Sequence, residues 1–168
     1  MRIRTAHPND VAALAERLAR ACPMLMAPAY DADIFAAAPP AMAQSSPTLL
    51  ASDSYYLAEN AGRLVRCGGR AFEPPGSGKV EAGLSHLRQF ATDPDMARRG
   101  IGRAIFDRCA TLAARCGAVR FHAFASLNAE PFYQGLGMRR LYLIEISMGP
   151  HVKMPAVLME GAVPAATS

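Results

Sequence analysis

The sequence predicts one α/β domain of the mixed α+β type, in which helices cover both faces of a mixed sheet of about seven strands. The predicted order of elements, β-α-α-β-β-β-α-β-α-β-β, intermingles helices and strands along the chain. The length of 168 residues fits one domain, so we treat residues 1–168 as a single unit. Hydrophobic residues make up 51% of the chain and charged residues 19%, which is enough apolar material for a core.

The chain begins with a short strand over residues 2–6, followed by a helix. Pro8 and Asp10 supply the helix start, because proline suits the first turn and a carboxylate suits the positive helix end. One face of this helix carries Val11, Leu14, Ala15, Leu18 and Cys22. Residues 23–52 have no clean period. We expect short helices around residues 31–38 and 48–51, or a mobile lid on the substrate side.

The middle of the chain has a β pattern. Two strands, over residues 55–58 and 63–67, flank Asn60, Ala61 and Gly62, which favour a hairpin turn. The pair Gly68-Gly69 indicates a bulge or a close backbone approach. A loop over residues 73–78 then leads to a longer strand over residues 80–92.

The second half alternates helices with strands. We predict a helix over residues 101–115, closed by Gly117, because Ile101, Ile105, Cys109, Leu112 and Cys116 recur at helical spacing. A strand over residues 119–125, a short helix over 129–136 and strands over 141–147 and 152–159 follow. Residues 80–125 thus form a β-α-β unit, whose two strands should run parallel with a right-handed crossover.

Composition argues against several classes of protein. Apolar runs end well before the ~18 residues of a membrane span, and residues 1–7 lack the apolar run of a secretory signal, so we expect no membrane and a cytoplasmic location. The four Cys and four His show no ligand spacing, which predicts reduced, buried thiols and no metal. The net charge is +4, but most basic residues are scattered, so we expect no nucleic-acid partner.

Residues 93–104, DPDMARRGIGRA, carry the most informative pattern, because a strand ends, a glycine-containing turn follows and a helix begins at once. Free N–H groups at a helix start suit a pyrophosphate, and Gly100 and Gly102 let the main chain approach it. Arg98, Arg99 and Arg103 add positive charge. A plain tight turn would also explain the two glycines. The Rossmann pattern fails because residue 105 is Ile, and the Walker lysine is absent.

Residues 87–104, LRQFATDPDMARRGIGRA, resemble the acyl-CoA-binding core of the GNAT superfamily of N-acyltransferases, whose pattern is Q/R-x-x-G-x-G/A. Both glycines match, whereas Ala97 departs from the first position. Residues 126–138, SLNAEPFYQGLGM, resemble the family motif N-A-x-x-F-Y-x-x-x-G-F, with Met138 in place of Phe. Weaker similarity to the family at residues 3–6 and 63–69 extends the resemblance over nearly the whole chain, except residues 23–52.

The resemblance implies a mostly antiparallel sheet in which two central parallel strands, ending at Thr92 and near Ser126, splay apart around acetyl-CoA. It implies that the pantetheine arm pairs with the main chain of residues 90–92 and that the pyrophosphate meets the amides of residues 98–103. An N–H of this strand would polarise the thioester carbonyl, which contributes ~3 kcal/mol. The implied cofactor-binding residues are Phe90, Ala91, Thr92, Arg98, Arg99, Gly100, Ile101, Gly102, Arg103, Asn128 and Tyr133.

The implied reaction is direct attack of a neutral amine on the thioester. Tyr133, in the family's Phe-Tyr motif, is predicted to protonate the leaving thiolate; packing and a hydrogen bond to the cofactor are its alternative role. For the base we favour His86, where some family members carry a catalytic Glu, because imidazole accepts a proton near neutral pH. A plain polar residue on a strand face is the alternative for His86. Glu81, His122 and a water chain are the other candidate bases.

These inferences predict an N-acetyltransferase that transfers an acetyl group from acetyl-CoA to a primary amine of a small molecule or peptide. A non-catalytic acyl-CoA sensor of the same fold is the alternative. The acceptor stays open, and residues 23–52 and 73–79 are expected to select it. Asp31 and Asp33 are the only carboxylates in the first of these segments, which argues against a polycationic acceptor. A homodimer is also left open.

Overall fold

The computed structural model describes residues 1–37, 46–76, 78–147 and 150–166. Within these residues seven strands form one sheet: Arg2–Thr5 (β1), Tyr55–Asn60 (β2), Arg63–Ala71 (β3), Leu84–Thr92 (β4), Arg120–Ser126 (β5), Arg139–Ser147 (β6) and Lys153–Ala162 (β7). The helices are Val11–Met26 (α1), Ala32–Ala37 (α2), Pro47–Leu50 (α3), Ile101–Arg115 (α4) and Glu130–Gly135 (α5). The predicted mixed α/β fold class is confirmed.

The strand order across the sheet is β1-β2-β3-β4-β5-β7-β6. Neighbouring strands pair antiparallel, except that β4 and β5 pair parallel through the β-α-β unit that contains α4. The sheet is therefore mostly antiparallel, and its one parallel contact lies at the centre.

Helices cover both faces of the sheet. On one face α4 buries Ile105, Phe106 and Cys109 against residues of β5 and β7. On the other face α1 and α3 pack against β2 and β3. Alternate side chains of β2 enter the two clusters, as the two-residue period of a strand requires. Tyr55 and Leu57 lie on the α1 face, and Tyr56 and Ala58 lie on the α4 face.

Several element ends differ from the sequence prediction. The helix α1 continues through Pro23 to Met26, which is buried beside Tyr30 and Met154. The strand β4 begins at Leu84 rather than at residue 80, because Gly83 has a φ of 75° and breaks the extended chain.

The buried face of α4 also differs from the predicted one. Ile101, Ile105 and Cys109 are buried, but the face then continues through Ala113, and Cys116 is exposed. The four cysteines are free thiols, and Cys67 and Cys109 are the two that are buried. None of the helices formed by the described residues has the length and apolar character that a membrane crossing requires.

Candidate functional site

The strands β4 and β5 separate halfway along the sheet. They pair from Leu84 and Arg120 as far as Leu87 and Ala123. Beyond this point β4 continues to Thr92 with β3 as its partner, and β5 continues with β7 as its partner. The central parallel strands thus splay, as the resemblance implies, and the facing edges of both no longer pair with each other.

A bulge in β4 lies at the start of the splay. Cys67 of β3 is opposite Ala91, whereas Gly69 is opposite Arg88, so β4 contains one extra residue in this interval. Gln89 has a φ of 50° there. In a regular strand Leu87 and Ala91 would share a face, but they pack into the clusters on opposite faces, because the bulge reverses the alternation.

The bulge brings Phe90 to the α4 face, where its ring lies over Gly68. A Cβ at Gly68 would stand 2.8 Å from that ring. The pair Gly68-Gly69 was predicted to mark a bulge or a close approach. The extra residue lies on the opposite strand, and the glycine provides room for a side chain.

The buried Tyr55 holds the bulge in place from the α1 face. Its hydroxyl donates a hydrogen bond of 3.0 Å to the carbonyl of Gln89. The thiol of Cys67 lies 3.5 Å from the same carbonyl oxygen. Both side chains are fully buried, so the main chain of β4 is fixed where the two strands part.

A groove of ≈ 690 Å³ occupies the gap between β4 and β5. Its wall on the α1 side is formed by Ala21, Cys22, Leu25 and Met26, and its other walls come from the end of β4, the turn before α4 and the start of α5. Because α1 and α4 cover opposite faces of the sheet, the gap is lined from both faces. Predicted cofactor-binding residues that line it are Phe90, Ala91, Thr92, Arg98, Gly100, Gly102, Arg103, Asn128 and Tyr133.

Two predicted cofactor-binding residues do not line the groove. Ile101 is buried in the core beneath α4. Arg99 is exposed. Ile101 could therefore bind phosphate only through its main-chain N–H. Arg99 could do so through its main chain or through a side chain that reaches back over the turn.

The turn before α4 leaves the start of the helix uncapped. Arg98 and Gly100 have φ values of 62° and 73°, and Gly100 is the N-cap residue, with no side-chain hydrogen bond to the first turn. The first N–H groups of α4 are therefore available to an anion at the positive helix end. Arg103 is anchored nearby, because its guanidinium contacts the carbonyl of Gly135.

Asp93 connects this turn to the rest of the fold. Its carboxylate accepts hydrogen bonds of 2.8 Å from Arg17 of α1 and from Arg63 of β3, and one of 3.1 Å from the N–H of Asp95. Burial alone would raise the pKa of Asp93, but the Asp95 hydrogen bond and the two guanidinium groups lower it overall. A buried ion pair thus anchors the turn against α1.

Arg66 of β3 is a groove residue that the sequence analysis missed. Its side chain is only 9% exposed, and its guanidinium lies 4.7 Å from the centre of the Phe132 ring. A Cβ at Gly102 would collide with this guanidinium. Burial lowers the pKa of Arg66. In the sequence Arg66 is one arginine within a predicted strand, and no pattern around it indicates that its side chain is buried.

Tyr133 lies in an aromatic cluster beside the groove. Its ring centre is 5.1 Å from that of Phe132 and 6.3 Å from that of Phe90. Burial raises the pKa of its hydroxyl well above the usual range, and the charge of Arg66 opposes this only in part. The phenol is therefore protonated at neutral pH and has a proton to donate.

His86 lies away from the groove. It is opposite His122 and Ala71, in the part of β4 that is still paired on both sides, and it is 5% exposed. Its ring centre is 5.9 Å from that of His122 and 6.2 Å from that of Phe124. Burial, followed by the neighbouring His122, lowers the pKa of His86 to about 4.

The two other candidate bases are engaged elsewhere. Glu81, which precedes β4 in the chain, forms an ion pair with Arg120. His122 lies 2.9 Å from Glu160 through its Nε2 atom. The side chains that line the described groove include neither of these residues nor His86. Among the described residues, no group of three His, Cys, Asp or Glu side chains could hold a metal ion.

The comparison with family models gives a direct match. The model described as "Acetyltransferase (GNAT) domain" matches residues 43–149, which is more than half of the chain. The chain belongs to the GNAT acetyltransferase family. Comparison with curated protein sequences finds no match.

Solved structures of GNAT acetyltransferases share the fold at low sequence identity. A GCN5-related N-acetyltransferase from Rhodopseudomonas palustris has 20% identity and a TM-score of 0.75, with 96% of this chain and 94% of that one covered. The PaiA N-acetyltransferase of Thermoplasma acidophilum, solved with coenzyme A, has 14% identity and a TM-score of 0.68, with coverage of 96% and 98%. A phosphinothricin acetyltransferase from Sinorhizobium meliloti, solved with acetyl-CoA, has 12% identity and a TM-score of 0.67, with coverage of 96% and 88%.

Proposed function

We propose that this GNAT domain transfers an acetyl group from acetyl-CoA to a primary amine. The observation that carries the proposal is the groove between the splayed strands, which ends at the uncapped start of α4. Family membership and the coenzyme A and acetyl-CoA named for two structural neighbours support the choice of cofactor. Because β1 and β7 belong to the same sheet, we also propose that residues 1–168 act as one domain.

The cofactor would follow the length of the groove. The pantetheine arm would pair with the main chain of β4 from Phe90 to Thr92, on the side that β5 no longer covers. The pyrophosphate would meet the N–H groups of the first turn of α4, with Arg98 and Arg103 beside it. The thioester would then lie between the bulge at Gln89 and the aromatic ring of Tyr133.

The reaction would be a direct transfer. The lone pair of the amine attacks the thioester carbonyl carbon, a C–N bond forms, the C–S bond breaks, and the sulfur leaves as a thiolate. Tyr133 donates a hydrogen bond or its proton to that sulfur. The amine loses its proton to water in the groove, because none of the candidate bases lines the described part of it; His86 as the base stays a prediction.

The lining of the groove favours an acceptor without multiple positive charges. Its described charged side chains are Arg66, Arg98 and Arg103, and none of its described residues is Asp or Glu. The wall from α1 is apolar apart from the thiol of Cys22. The lining thus offers a polycation no described carboxylate to bind, which agrees with the scarcity of carboxylates in residues 23–52.

Two measurements test the proposal. Acetyl-CoA at 100 times its dissociation constant should stabilise the fold by about 2.7 kcal/mol. A panel of amines should then identify an acceptor that releases free CoA thiol. A melting temperature unchanged by millimolar acetyl-CoA would contradict the proposal. Binding without thiol release for any amine would favour the alternative, an acyl-CoA sensor of the same fold.

A further inference from the structure

A buried arginine lies beneath each end of the helix α4. Arg66 and Arg70 are four residues apart on β3 and are 9% and 5% exposed. Each guanidinium lies 4.7 Å from the centre of a phenylalanine ring. They differ in their place along the helix. Arg66 lies against Gly102 in the first turn, whereas the Nη2 atom of Arg70 is 3.3 Å from the sulfur of Cys116, just past the last turn.

The helix dipole of α4 stabilises one of these cations and destabilises the other. An α-helix carries roughly half a positive elementary charge at its first turn and half a negative charge at its last. The charge of Arg70 is therefore complemented by the end of α4. The charge of Arg66 is repelled by the start of α4, and Arg98 and Arg103 add further positive charge to the same groove.

No protein group among the described residues neutralises Arg66. It takes no part in the ion pairs of the described carboxylates. Its buried Nε atom has no hydrogen-bond partner, which is also true of the Nε atom of Arg70, so the two arginines differ in the helix end that they face. A buried guanidinium is costly unless it is paired, and it does not lose its proton in proteins. Because Arg66 also faces the positive end of α4, its position favours an anion from outside the chain.

We propose that Arg66 binds the pyrophosphate of acetyl-CoA and that this buried cation destabilises the protein when no cofactor is bound. The inference rests on the proposed function. Arg66 is opposite Thr92 in the sheet, at the end of β4 that leads into the phosphate-binding turn, and it touches the first turn of α4. A guanidinium forms strong, directional hydrogen bonds with phosphate oxygens.

The experiment compares Arg66→Met with the matched control Arg70→Met. Both changes remove a buried cation from the same strand beneath the same helix. Each protein is titrated with CoA and with pantetheine, the fragment that lacks the phosphates and the adenosine, and is melted without ligand. We expect Arg66→Met to weaken CoA binding tenfold or more, to leave pantetheine binding unchanged, and to melt at or above the wild-type temperature. Arg70→Met should keep the wild-type affinity for CoA.

Further variants keep the test decisive. Arg66→Lys should retain most of the affinity for CoA, because it keeps the charge. If Arg66→Met does not fold, Arg66→Gln is titrated with CoA and pantetheine instead. Wild-type affinity of Arg66→Met for CoA would overturn the inference while leaving the proposed function intact. An equal loss for CoA and pantetheine would also overturn it, since Arg66 would then act at the thioester end. Failure of the wild-type protein to bind CoA would overturn both proposals.

Discussion

The hydroxyl of Tyr55 on β2 donates a hydrogen bond of 3.0 Å to the main-chain carbonyl of Gln89, at the bulge where β4 leaves β5. A non-glycine residue in the left-handed region costs about 1 kcal/mol or more, so the φ of 50° at Gln89 needs support from its surroundings. Tyr55 supplies that support from the face opposite to α4. The hydrogen bond thus connects the core on the α1 face to the main chain that would receive the thioester.

Tyr55→Phe should lower turnover more than it weakens acetyl-CoA binding. The change removes one hydrogen bond, which contributes about 1 kcal/mol to stability, and frees the bulge beside the thioester while the phosphate turn stays intact. Tyr56→Phe is the matched control, because the same atom is removed from the next residue, on the other face. Turnover and cofactor affinity, measured for both variants, test whether the Tyr55 hydrogen bond holds the bulge in its active shape. Equal turnover for Tyr55→Phe and wild type would mean that the bulge holds its shape unaided.

Gly102→Val should abolish cofactor binding. The two glycines of the turn are needed for different reasons, so a suitable replacement of Gly100 should be tolerated. A side chain at Gly102 would collide with the guanidinium of Arg66 and lie 2.7 Å from the Phe132 ring. Gly100 has open space around it and needs only its left-handed conformation, which asparagine also adopts. We therefore expect Gly100→Asn to retain most of the CoA affinity. Calorimetric titration, with circular dichroism to check the fold, distinguishes the two. Unchanged affinity in Gly102→Val would move the phosphate site elsewhere.

Tyr133→Phe should lower turnover by about tenfold to a hundredfold with little loss of CoA affinity. Full proton transfer from a phenol of raised pKa to a thiolate is unfavourable, since an ordinary thiol has a pKa of about 8.5, so the hydroxyl acts mainly as a hydrogen-bond donor. Burial keeps this phenol protonated beyond its usual pKa of 10.0, and no basic limb from Tyr133 is expected below that pH. The rate is measured with the amine found in the panel. Equal losses of turnover and affinity would make Tyr133 a binding residue only.

His86→Ala should flatten the acid side of the stability profile. The pKa of His86 is lowered from 6.5 to about 4 in the fold, so the unfolded chain binds more protons between these values, and stability falls as the pH drops from 6.5 towards 4. Burial is the largest cause of the lowered pKa; the charges of His122 and Arg88 also lower it, while those of Glu81 and Glu73 raise it. Denaturant melts at pH 7.5 and 5 measure this dependence. An identical pH dependence in the variant would contradict the assigned burial effect.

The same variant tests whether His86 is the base. A base with a pKa of about 4 would place the acid limb of turnover near that pH, and the alanine variant would lose that limb. If the profile is unchanged, the proton goes to water or to another side chain. The position of His86, in the paired part of β4, favours this second outcome.

Much of the fold could be predicted because it depends on local patterns. The helix over residues 101–115 follows from apolar spacing between a glycine turn and Gly117, and its predicted ends agree with α4. The hairpin at residues 60–62 follows from turn chemistry, since Ala61 and Gly62 both adopt left-handed φ values. Each of these depends on contacts between residues that are close in the chain, which the order of amino acids specifies directly.

Only the tertiary structure decided how the site is assembled. The bulge at Gln89 depends on the register of β4 against β3. The pair Gly68-Gly69 indicated a bulge or a close approach, but not that the extra residue belongs to β4. The burial of Arg66 depends on α4 crossing β3 at Gly102, 36 positions further along the chain. His86 is separated from the groove because β4 and β5 part only after Leu87. The sequence by itself determined the elements and the family of this protein. Strand register and helix packing, which join residues far apart in the chain, determined which side chains meet in the groove.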